Sequence, residues 1–157
     1  MKEVLLILFG FALGHVPAWL DRKRRLKTHW SAIRAELELC RERASALLED
    51  SIRSPLYRLP LSAYQSSFSI LLAEGALSEV DALTMGRFFC QVQDINRGLD
   101  NAAAMLNASN TAGLDREYER NLLKARRLVD SREGEESLHA EAKRIVDAKV
   151  LQPWWRY

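Results

Sequence analysis

The chain is 157 residues long, 48% hydrophobic and 28% charged, with a formal net charge of +2. The positive charge is concentrated: beyond residue 27 there are 17 basic and 19 acidic side chains, so the body lacks the basic stripe that a nucleic-acid-binding domain displays. Two cysteines, Cys40 and Cys90, fit no metal-ligand spacing.

Residues 4–20 contain no Asp, Glu, Lys or Arg, and His15 and Pro17 are their only interruptions. As a helix such a run reaches about 26 Å, slightly less than a hydrocarbon core of about 30 Å. Trp19 falls where an interfacial aromatic belongs. A cleavable signal peptide carries its positive charge before the apolar stretch and a small-residue site after it. Here Lys2 is balanced by Glu3, and Arg22, Lys23, Arg24, Arg25 and Lys27 follow the run. The run is also apolar all round, unlike a helix lying in the interface. The expectation is a transmembrane anchor at 1–20 and a basic juxtamembrane segment at 21–27. Those five cations touch lipid headgroups and keep their end on the cytoplasmic side. That layout resembles many bacterial inner-membrane proteins, with the body in the cytoplasm. Gly10, Gly14 and Ala18 line one face of the anchor, a geometry that lets two such helices approach closely.

The remaining 28–152 segment is long enough for one small domain with its own core. Leu26, Trp30, Ile33, Leu37, Cys40, Ala44 and Leu47 alternate steps of four and three, a heptad seam that serves either a parallel coiled coil or the chain's own hairpins. The prolines at 55 and 60 bound a turn. A short helix follows at 61–74, with Tyr64, Phe68, Leu71 and Leu72 inward and Gly75 as its cap. Ser78 and Asp81 resemble a capping box. They open a long helix with the seam Met85, Phe88, Val92, Ile95, Leu99, Ala102 and Leu106. Cys40 and Cys90 read as small packing residues. On the other face, Arg87, Gln91, Asp94 and Asn101 form a docking surface, a polar network or a solvated side. After a loop at 107–113, a helix to about residue 129 uses Tyr118, Leu122, Ala125 and Val129. Glu133-Gly134-Glu135 breaks or kinks it, and Leu138, Ala142 and Ile145 resume the pattern. No window alternates with period two. The fold class is therefore all-α, an anchor followed by a bundle of helical hairpins, with an aromatic tail at 153–157.

Chemistry is sparse. Glu136-x-x-His139 has the spacing of a bundle metal ligand pair, but such sites need a second pair. His15 and His29 are preceded at that spacing by Ala12 and Leu26. The expectation is an exposed His139 beside Glu135, Glu136 and Lys143. There is no Gly-rich phosphate loop and no nucleophile elbow, so no catalytic residue, metal or cofactor is assigned. Trp154, Trp155 and Tyr157 suit a headgroup layer or a partner's groove, and Tyr57 with Arg58 is a second recognition point. These features point first to a membrane-anchored cytoplasmic helical adaptor, able to self-associate. A non-enzymatic sensor binding a small ligand in its bundle comes second, and an enzyme with a non-contiguous site third.

Overall fold

The computed structural model describes residues 2–49, 57–108, 113–131 and 134–151; for residues 2, 3, 5–9 and 11–14 it describes the backbone alone. Five α-helices make up the described residues, with no strand among them: α1 (Lys2–Leu48), α2 (Ser69–Ala73), α3 (Glu79–Asn107), α4 (Leu114–Val129) and α5 (Leu138–Val150). A single π-helical turn, Tyr64–Phe68, leads into α2.

α1 is one uninterrupted helix of 47 residues with Pro17 inside it, which at 1.5 Å per residue is about 70 Å long. Its second half belongs to the bundle core. From Trp30 onward the seam Trp30, Ile33, Leu37, Cys40, Ala44 and Leu47 is fully buried against the chain's own helices. The chain's own helices thus occupy the seam that a parallel coiled coil would need. α4 and α5 each pack against both long helices, α1 and α3, and against each other. Tyr64 bridges the π turn to α3 by stacking on Phe89, with ring centroids 4.1 Å apart, and Phe88 meets Phe89 edge-on.

Local signals set most boundaries. Ser78 and Asp81 do form a reciprocal capping box at the start of α3. Gly75 takes φ 65°, and its N–H and that of Ala76 donate to the carbonyls of Leu72 and Leu71. This left-handed closure ends α2. The helical pattern breaks fully after Val129, the end of α4, and α5 restarts at Leu138 with Ser137 accepting from the Ala140 N–H; Glu133 lies outside the described residues.

Several inward assignments move. Leu72 lies on the outer side of α2, because the inward line runs through Ser67 and Leu71. Leu106, in the last turn of α3, is exposed. In α4 the buried line is Asn121, Ala125 and Leu128, while Tyr118, Leu122 and Val129 pack beside it. Cys90 is exposed, so it is not a packing residue; Cys40 is buried as expected. His139 is buried and not exposed.

Among the described residues no helix is long and apolar enough to cross a membrane. Most side chains of the 4–20 run lie outside that description.

Candidate functional site

The first candidate is the outer part of α1. Val4, Gly10 and every residue from His15 to Trp19 are exposed, whereas Trp30 is 0% exposed. Residues 4 and 20 lie roughly 24 Å apart along the helix axis. Val4, Val16 and Trp19 are the large apolar side chains exposed there among the described residues. Gly10 and Ala18 are both exposed, and nothing lies within 4 Å of a Cβ built on Gly10. Gly14 falls outside the described side chains.

The basic collar divides its labour. Arg22 donates from Nε to the Glu74 carboxylate at 2.7 Å and from a terminal nitrogen to the Glu74 carbonyl at 2.8 Å. It therefore holds the C-terminus of α2, where a cation is favoured by the helix dipole. Lys23 places Nζ 3.6 Å from the centroid of the Trp19 ring, a cation–π contact. Arg24, Arg25 and Lys27 are exposed. Of the five cations assigned to headgroups, one is thus committed to the bundle itself.

Residues 57–60 form a strap between α1 and α3. The Asn96 side chain clamps Leu59 at both backbone groups, accepting from its N–H at 2.8 Å and donating to its carbonyl at 2.9 Å. The Cys40 thiol donates to the Pro60 carbonyl, and burial pushes that thiol up to about 12, so it is inert near neutrality. Arg43 donates to the Arg58 carbonyl and sits over the Tyr57 ring, while Arg58 donates to Asp100. Tyr57 and Arg58 are thus held partly buried in this strap. Buried Glu36 completes the join. Its carboxylate accepts from the N–H groups of Ala63 and Tyr64, at 2.8 and 2.6 Å, and from the Ser62 hydroxyl. A side chain of α1 thereby caps the segment that leads into α2.

A charged cluster joins α1 to α5. Glu38 accepts from Lys143 and Arg41, and the buried His139 places Nε2 3.6 Å from it. Burial pushes the Glu38 carboxyl up, but Lys143, His139 and Arg41 together outweigh that and hold it below its usual value. Burial draws His139 below its usual value despite the attraction of Glu38. Glu136 instead meets Arg144 at 3.4 Å. The Glu136 and His139 side chains therefore serve different partners and do not form a ligand pair. No group of three metal-binding side chains occurs among the described residues. His29 Nδ1 lies 3.0 Å from Ser67 Oγ. That hydroxyl is buried, so the pair fastens the π turn to α1.

The polar face of α3 turns toward α4. Gln91 donates to the Lys124 carbonyl, and Lys124 reaches back to the carbonyl of Asp94. Asn101 remains exposed. Arg87 and Gln91 line an open groove of about 880 Å³, shared with Arg127, Asp130, Glu141 and Arg144. Nearby, α3 and α4 cross closely: a Cβ on Gly98 would fall 1.9 Å from Asn121 Oδ1. The Asn121 amide is fully buried, and among the described residues neither of its polar atoms finds a partner.

Glu36 and the Gly98–Asn121 crossing escape sequence reasoning. A glycine in the middle of a 29-residue helix is the one local signal among them. Compared with known proteins, the chain matches no family model, no curated protein and no solved structure.

Proposed function

We propose that this protein is a membrane-tethered helical adaptor, its bundle held beside the inner face of a bacterial inner membrane. The observation that carries the reading is the exposure of the outer part of α1, which continues without a break into the buried seam. Exposed apolar side chains such as Val4, Val16 and Trp19 on an uncharged run find a favourable solvent in lipid. The cations at its end favour the cytoplasmic side for the bundle. The exposed small residues Gly10 and Ala18 leave room for a second copy in the bilayer. On the bundle, the groove bordered by Arg87, Arg127 and Arg144 offers a polar partner both charge signs. Its openness also keeps a second reading in play, a regulator that binds a small charged ligand there.

Membrane fractions expressing the full chain test the tether. The protein is expected to resist alkaline carbonate and to dissolve only in detergent; release by carbonate overturns the reading. Crosslinking and pull-down from solubilised membranes then separate a protein partner from a small ligand.

A further inference from the structure

The exposed large apolar side chains of this protein are unevenly placed. Eleven are found among the described residues. Val4, Val16 and Trp19 lie on the outer part of α1, and Leu39, Leu106 and Leu123 are scattered. The other five, Ile70, Leu72, Val80, Leu83 and Leu151, are 40–70% exposed and gather at one end of the bundle.

Pairwise contacts place that end. Residues 57–74 run antiparallel along α1: Arg43 meets Arg58, Glu36 meets Tyr64, His29 meets Ser67, and Arg22 meets Glu74. α5 runs the same way, with Lys143 at Glu38 and Asp147 at Arg34. Lys149, near the end of α5, reaches Asp81 in the first turn of α3. The turn from α2 to α3 and the end of α5 therefore sit at the collar side of the bundle. Arg22, which grips Glu74, is two residues (about 3 Å of helix rise) beyond the apolar run.

We infer that this collar-side end, built from Leu72, Val80, Leu83 and Leu151, is a second membrane-contact surface that lies on anionic phospholipid headgroups. The inference rests on the tethered reading above and deepens it: the bundle lies against the bilayer and does not dangle from it. Three observations select lipid as the occupant. Arg22 joins the turn beside this patch to α1 two residues past the apolar run. Arg24, Arg25 and Lys27 stand exposed at the same level and complement anionic headgroups. The Arg22–Glu74 pair neutralises a carboxylate in the turn beside the patch. Glu79 is exposed at the start of α3, where the helix dipole favours it. A carboxylate there keeps the patch at headgroup depth and out of the acyl chains.

The test uses the full chain in vesicles of phosphatidylcholine and phosphatidylglycerol, with exposed Cys90 replaced (Cys90→Ser). A fluorophore is placed in turn at Val16→Cys, Leu72→Cys, Val80→Cys and Leu106→Cys. Spin-labelled lipids then quench it from headgroup or mid-chain depth. The expected result is mid-chain quenching at position 16. At 72 and 80, headgroup-level quenching should exceed that at 106 by about twofold or more, and fall in vesicles of phosphatidylcholine alone. Quenching at 72 and 80 no greater than at 106, with position 16 still quenched, refutes this surface and leaves the tether standing. Loss of quenching at 16 refutes the tether, and this surface with it. Protection of 72 and 80 in native membranes but no quenching in vesicles that hold no other protein assigns the patch to a protein partner, against the inference.

Discussion

The two halves of α1 are made by the same backbone and solve opposite problems. Beyond Trp30 the helix has one apolar stripe, and every residue of that stripe is buried by α3, α4, α5 or the 57–74 segment. Before residue 21 the sequence carries no Asp, Glu, Lys or Arg from Val4 to Leu20, and the described side chains from His15 to Trp19 are exposed. A stripe specifies packing against other helices, whereas a helix apolar all round specifies a solvent. The collar between them is more than a charge boundary, because Arg22 ties the end of α2 to the point where one regime becomes the other.

The two tryptophans of α1 expose that contrast most sharply. Trp30 is fully buried and Trp19 is 42% exposed. Trp30→Ala should lower bundle stability in detergent by about 3–5 kcal/mol, whereas Trp19→Ala should leave it within about 0.5 kcal/mol. Chemical denaturation followed by circular dichroism reads both. Equal losses would mean that the outer part of α1 packs on the bundle after all.

The next effect belongs to the α3–α4 crossing. Gly98→Ala should cost about 1–3 kcal/mol, since its methyl group collides with the Asn121 amide. Asn121→Ala frees the space and removes a buried amide without partners, so the double variant should be more stable than Gly98→Ala alone. Additive losses in that cycle contradict the contact. Glu36→Ala comes third: it strands two N–H groups and should cost about 1–3 kcal/mol. Hydrogen exchange should rise first at Ala63 and Tyr64, and uniform loosening instead would deny Glu36 its capping role.

The smallest effect is a pH dependence. His139 is drawn below its usual value in the folded state, so the unfolded chain binds its proton first as pH falls below about 6.5. Stability is therefore expected to decline on acidification through that window. Glu38, also held low, adds a further loss as pH drops past the ordinary carboxylate range. Melting temperatures from pH 8 to 4 should show His139→Gln insensitive in the upper part of the decline and parallel to wild type in the lower. Identical slopes throughout would remove His139 from the explanation.

What was legible from sequence is what is local. The seam of α1, the Ser78–Asp81 box and the Gly75 cap depend on residues within a turn or two of one another, and all three hold. What was not legible depends on a partner far along the chain. His139 looks like a surface residue until α1 brings Glu38 across from it. Tyr57 and Arg58 look like a free recognition turn until Asn96, Arg43 and Cys40 bind the strap they belong to. Glu36 reads as one more charge beside an apolar seam, and only the incoming 57–74 segment gives its carboxylate donors. Cys90 shows the reverse error: two preceding phenylalanines point inward while it does not.

The most direct measurement places a nitroxide at position 16 and another at exposed Ser31 in bilayer-reconstituted protein. Relaxation by oxygen and by a water-soluble nickel complex is then compared at the two sites. Two solvents along one helix predict oxygen-dominated relaxation at 16 and nickel-dominated relaxation at 31. Nickel-dominated relaxation at both positions would contradict it.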